Sequence, residues 1–137
     1  MGTTKSMRLT EAKALLRRVR LELARDHDFP NGSSERGYEL IAPIDTDGYL
    51  VAAAWKLTRE HCRVRRFWAH APTELGHLLH KPGGAWAFHY DIHGDPDHDE
   101  TGFHLDTHKF VPGEYVSIKE QDGMMRTFRV RAVGDLE

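Results

Sequence analysis

Hydrophobic and polar positions recur along this chain with two different periods. Near the start, Ala12, Leu15, Leu16, Val19 and Leu23 are spaced by threes and fours, which gathers them on one side of an α-helix. Thr10 is placed to cap that helix, and Glu11 suits the positive end of its dipole. Arg17, Arg18, Arg20 and Arg25 fall largely off the stripe. The spacing predicts a helix over 10–26, ended by a loop over 27–37 that holds Pro30, Asn31-Gly32 and two serines. A strand is expected over 38–44, with Pro43 marking its end or an edge position. Beyond the breaker Asp45-Thr46-Asp47-Gly48, residues Leu50, Ala54, Leu57 and His61 share a helical face. The three alanines at 52–54 favour a second helix at about 49–61 over a hairpin turning at Asp47-Gly48.

After Cys62 the period becomes two. Strands are expected over 64–69, 76–81, 85–93, 103–109, 114–120 and 125–133, punctuated by Pro72, Pro82-Gly83-Gly84, Gly94-Asp95-Pro96, Pro112-Gly113 and Asp122-Gly123. Short strands joined by short connections pair antiparallel in sequence order. The last hairpin fixes its own register. A two-residue turn at Asp122-Gly123 sets apolar Val116 across from Arg129. A three-residue loop, Gln121-Asp122-Gly123 with Gly123 left-handed, sets Val116 across from Phe128 and keeps apolar with apolar. That choice turns Arg126 inward beyond Ile118, which is tolerable only at the open end of the ribbon.

These elements imply an α+β domain. An N-terminal helix packs on a curved antiparallel six- or seven-stranded sheet or partly open barrel, with a second short helix inserted after the first strand. The expected core is Leu15, Leu16, Val19, Leu23, Leu40, Leu57, Phe67, Trp86, Phe88, Ile92, Val116, Ile118, Phe128 and Val130. A length of 137 residues suits a single domain over 1–137, with 1–7 as a disordered tail or expression remnant. Nothing at the start reads as a signal peptide, and no apolar run reaches bilayer length. One cysteine excludes an internal disulfide, so a reducing, cytoplasmic setting is expected. Arginine outnumbers lysine 13 to 6, which suggests a GC-rich bacterial source.

Charge adds an asymmetry. The net charge is −2, but residues 1–81 carry 14 Lys+Arg against 10 Asp+Glu, and residues 82–137 carry 5 against 11. The bland reading of the arginines is ion pairing between the two parts. A nucleic-acid reading would use Arg63, Arg65, Arg66 and the Arg17–Arg20 segment beside Phe67 and Trp68, against an unfavourable overall charge.

The chemically suggestive pattern is a repeat: His89-x-Asp91-x-His93 and His104-x-Asp106-x-His108. Alternation places each trio on one face of its strand. Pairing His93 with His104 would set Asp91 across from Asp106 and His89 across from His108. Imidazole nitrogen and carboxylate oxygen at that separation suit zinc or another divalent metal, and an open coordination position would give a metal-dependent hydrolase. A solvated polar face explains the same residues. Asp95-x-Asp97-x-Asp99 matches a calcium loop poorly, because Glu100 stands where that loop needs glycine. His61-Cys62 places a possible nucleophile beside a base, but neighbours on a helix diverge, and a lone cysteine is usually core. No phosphate loop or serine-nucleophile elbow occurs. The leading expectation is a small non-enzymatic binding or interaction domain with no cofactor, whose partner is a second copy or another protein and not a membrane. The metal-binding protein is its alternative and nucleic-acid binding a weaker one.

Overall fold

In a computed structural model, which describes residues 7–91, 100–103 (backbone) and 108–136, the chain forms an α+β fold dominated by a curled antiparallel sheet. A short helix α1 (Leu9–Ala14) precedes strands β1 (Leu16–Leu23) and β2 (Ser33–Pro43). Helix α2 (Ala52–Thr58) and a 3-10 turn (Arg59–His61) follow. The rest is a meander: β3 (Arg63–Trp68), β4 (Glu74–His80), β5 (Trp86–Tyr90), β6 (Glu100–Phe103), β7 (Tyr115–Lys119) and β8 (Met125–Gly134). Each strand pairs with the next, and β8 returns to β1, so the sheet of eight strands closes into a barrel. Closure removes both sheet edges and their unpaired backbone groups.

The expected curved sheet and second helix are present, but the first element differs. Helix stops at Ala14, and residues 16–23 are strand rather than a continuation of helix 10–26. Leu16, Val19 and Leu23 satisfy either period. Leu21 decides between them: it lies off the helical stripe, yet it is fully buried between β2 and β8. From Val19 onward, odd residues face in, while Arg20 and Glu22 face out. Long-range pairing on both sides of β1 outweighs the local helical preference.

An eight-stranded barrel has an interior just wide enough to be filled by side chains. Here the ring of Tyr38 lies 5.1 Å from Phe88 and 5.1 Å from Phe128, with Leu21, Leu40, Leu78, Val64 and Ile118 buried around them. Expected core residues Leu16, Val19, Leu23, Leu40, Trp86, Phe88, Val116, Ile118, Phe128 and Val130 are buried. Leu15 is half-buried, and Ile92 lies outside the described residues. Leu57 is exposed because α2 turns Ala54, Trp55 and Thr58 inward instead. Phe67 faces out because Val64 and Arg66 face in, and Arg20 covers its ring at 4.4 Å.

The two barrel ends are closed differently. At one, α2 drops Trp55 into the opening, where its indole N–H donates to the Leu78 carbonyl at 2.8 Å and its ring meets Trp86 edge-on. The other end carries loops 24–32, 69–73 and 120–124. The last hairpin has the expected form: Val116 pairs with Phe128, and Gly123 adopts a positive φ of 82° in a loop closed by the Gly123 N–H to Glu120 carbonyl bond. Among the described residues no helix is long and apolar enough to cross a membrane.

Replacing Leu21 with alanine is expected to cost about 2–5 kcal/mol in urea unfolding, the usual range for emptying a packed leucine site. A loss below about 0.5 kcal/mol, normal for a surface position, would contradict its place in the wall of the barrel.

Candidate functional site

Alternation carries β2, β3, β7 and β8 past the apolar core into a polar group at the loop-bearing end. Tyr38, Arg66, Trp68, Glu120 and Arg126 all sit at inward positions. The Glu120 side chain is only 2% exposed, yet both its oxygens are occupied. Oε2 accepts from the Tyr38 hydroxyl and from Arg66 Nε at 3.0 Å, and Oε1 accepts from Arg126 Nη1 at 2.6 Å. Arg126 Nη1 also donates to Asp122 at 3.1 Å. Burial pushes the Asp122 carboxyl up, but the Met124 N–H and the Arg126 guanidinium outweigh it and hold its pKa below the usual value. The contribution of Asp122 to stability is therefore present above the ordinary carboxylate range near pH 4 and is lost as pH falls through the lowered value. Trp68 lies under this group, with Arg66 at 4.2 Å and Arg126 at 5.5 Å from its ring, and Phe29 meets it edge-on. Three donors from β2, β3 and β8 thus share one carboxylate at this end of the barrel.

The His/Asp pattern is redistributed. His89 sits on the outer face of β5, directly across from His77 of β4. His77 Nδ1 lies 2.9 Å from Asp91 Oδ1, and Arg63 bridges the two, reaching His77 Nε2 at 2.8 Å and Asp91 Oδ2 at 3.1 Å. Arginine can only donate, so Nε2 accepts and the ring proton sits on Nδ1, facing Asp91. Both ring nitrogens of His77 are therefore occupied. His93, His104, Asp106 and the Asp95-x-Asp97-x-Asp99 segment lie outside the described residues. The register of β5 with β6 differs from the expected one: Phe88 pairs with Glu100, whereas joining His93 to His104 requires Phe88 across from Lys109. His108 instead precedes Phe110, whose N–H donates to Gly48 at the helical end, away from His89 and Asp91. Among the described residues no group of three or more His, Cys, Asp or Glu is placed to hold a metal ion.

The other candidates find structural roles. Cys62 is fully buried, and burial pushes its thiol up to about 11, so at neutral pH it is protonated and not a nucleophile. Arg17, Arg63, Arg65 and Arg66 face Asp135, Asp91, Glu39 and Glu120 respectively. Arg20 serves Glu22 and Glu39, and Arg18 donates to the Leu136 carbonyl. Three of these partners (Asp91, Glu120 and Asp135) come from the acidic part of the chain, as ion pairing between the two parts requires.

Two exposed arginines are not paired in this way. An open cleft of about 800 Å³ lies outside the barrel, between the β1–β2 hairpin and the outer face of β7 and β8. Arg25, Arg129 and Arg131 line it, with Asn31, Ser33, Ser34, Thr127 and Tyr115. Arg25 and Arg129 are both exposed and have no hydrogen bond, ion pair or ring contact among the described residues. Arg131 has only a 4.0 Å approach to Glu22, whose carboxylate is already held by Arg20 at 2.8 Å. Sequence reasoning missed this cleft because it exists only once residues 16–23 are a strand beside β8. It also missed Glu120, although extending the inward series Val116, Ile118 by one step reaches it.

Comparison with known proteins gives no lead: no protein-family model, curated protein or solved structure matches the chain.

Replacing Glu120 with alanine leaves Arg66, Arg126 and the Tyr38 hydroxyl without their shared acceptor. The expected loss is about 3–5 kcal/mol in chemical unfolding, the range for breaking a buried charge pair from one side. Glu39→Ala, which removes the more exposed partner of Arg65, is expected to cost below about 1 kcal/mol. Equal costs for the two variants would show that the Glu120 group does not brace the barrel.

Proposed function

We infer that the protein is a small non-enzymatic binding module that holds an anionic ligand in the outer cleft between the β1–β2 hairpin and β8. The observation that carries this reading is selective. Most arginines of this chain are engaged by a carboxylate, a carbonyl or an aromatic ring, whereas Arg25 and Arg129 are both unpartnered and line the same cleft. An unpaired guanidinium offers a planar fork of donors suited to carboxylate or phosphate. Among the described residues the barrel interior is filled, since aromatic rings meet across it and the Glu120 group stands at one end. Of the residues in the metal reading, Asp91 is engaged by Arg63 and His77, and His93, His104 and Asp106 lie outside the described residues. A reducing, cytoplasmic location is part of the proposal and rests on the single buried thiol.

The test is calorimetric titration with a heparin oligosaccharide as a general polyanion. Arg25→Ala and Arg129→Ala are each expected to weaken binding roughly tenfold, in line with about 1.5 kcal/mol for a charged hydrogen bond. Added salt weakens it further. Arg63→Ala, which removes an arginine already tied to Asp91, is expected to leave the affinity unchanged. Undetectable binding by the unaltered protein, or equal affinity in the Arg25→Ala/Arg129→Ala double variant, would reject the cleft as the site.

A further inference from the structure

We propose that the anion held in this cleft is single-stranded nucleic acid, with Tyr115 as the stacking surface for a base and Arg129 and Arg131 as the backbone contacts. The proposal rests on the cleft being the binding site and names the ligand class.

The register sets the parts side by side. Tyr115 is directly across from Arg129 in the β7–β8 ladder, on the outward face, so their Cβ atoms stand about 5 Å apart. Tyr115 is 53% exposed, and it is the one large aromatic side chain among those described that stands open to solvent. Its ring has no ring or cation partner among the described residues. The remaining aromatic surface is spent differently: Phe67 and Trp68 lie under arginines, and Trp55, Trp86, Tyr38, Phe88 and Phe128 are buried.

Arg129 and Arg131 flank buried Val130 and are both exposed, and the register of β8 with β1 shifts at Arg131. A line of positive charge beside an exposed ring is the combination that binds single strands without base pairing, the ring taking a base face and the guanidiniums following the backbone. A duplex hides its base faces in the stack and leaves Tyr115 nothing to cover. An acidic peptide would engage the arginines equally well but has no planar group to place on the ring. Across the cleft, Arg25 and the polar side chains of Asn31 and Ser34 face the same space, where they can reach base edges or a third phosphate. The cleft suits a short stretch, ~4 nucleotides, at the low end of site sizes for small barrels. Glu22, held by Arg20, and Glu35 also line it; Glu35 opposes the ligand, so Glu35→Gln should tighten binding.

The experiment is fluorescence anisotropy with a labelled single-stranded oligouridylate of eight nucleotides. The heparin oligosaccharide and an RNA duplex of equal length serve as parallel probes, and circular dichroism checks that each variant is folded. Tyr115→Ala removes an exposed ring, so the barrel stays intact. It is expected to weaken oligouridylate binding roughly tenfold, the loss of one base stack, while leaving heparin binding unchanged. Arg129→Ala and Arg131→Ala are expected to weaken both. Heparin binding without oligouridylate binding, no effect of Tyr115→Ala, or equal affinity for the duplex would overturn the nucleic-acid assignment while leaving the anion cleft standing. Failure of every probe to bind would remove both.

Discussion

The Glu120 carboxylate is the constraint around which the barrel is arranged. Strands far apart in the sheet meet at it: Tyr38 from β2, Arg66 from β3 and Arg126 from β8 converge on a group standing just beyond β7. The contact therefore runs across the lumen and ties the β7–β8 hairpin to the opposite wall. Removing a carboxylate and two guanidiniums from water is unfavourable unless each finds its complement. Here both carboxylate oxygens are occupied, and spare guanidinium capacity goes to Asp122 and to the face of Trp68. Geometry that demanding fixes the position of the strands that supply it.

The proposed function follows from where the interior is closed. Rings fill the middle of the barrel, the polar group seals one end, and Trp55 on α2 covers the other. The proposed binding surface is therefore an outer one. Most of the described arginines are paired, such as Arg63 with Asp91 and Arg65 with Glu39. Arg25 and Arg129 in the cleft beside β8 are not, and an exposed ring lies beside them. A net charge of −2 describes the chain as a whole and says little about that one surface.

Much of this fold was legible in the sequence. Strand β7 and the first part of β8 follow period-two alternation closely, and the three-residue loop ending in Gly123 was required by keeping Val116 beside Phe128. Arg126 was legible as an inward charge near an open end. Its partner was not legible, because a glutamate after a strand reads first as a solvated end. Two features escaped for a shared physical reason. Leu16, Val19 and Leu23 fit a helix and a strand equally, and only distant pairing with β2 and β8 separates the two. The pairing of β5 with β6 depended on the length assigned to their connection. A difference there moved His108 from beside His89 to the opposite end of the barrel. Local patterning resolved elements, whereas the cleft and the cross-lumen group depend on which distant elements meet.

Binding in the outer cleft places the ligand outside the barrel and leaves the interior untouched. NMR observation of arginine side-chain N–H and aromatic ring signals while a polyanion is added separates the two regions. Arg25, Arg129 and Tyr115 are expected to shift together in proportion to occupancy while the rings of Tyr38, Phe88 and Phe128 keep their positions. Shifts concentrated on those interior rings, with the cleft residues silent, would contradict it.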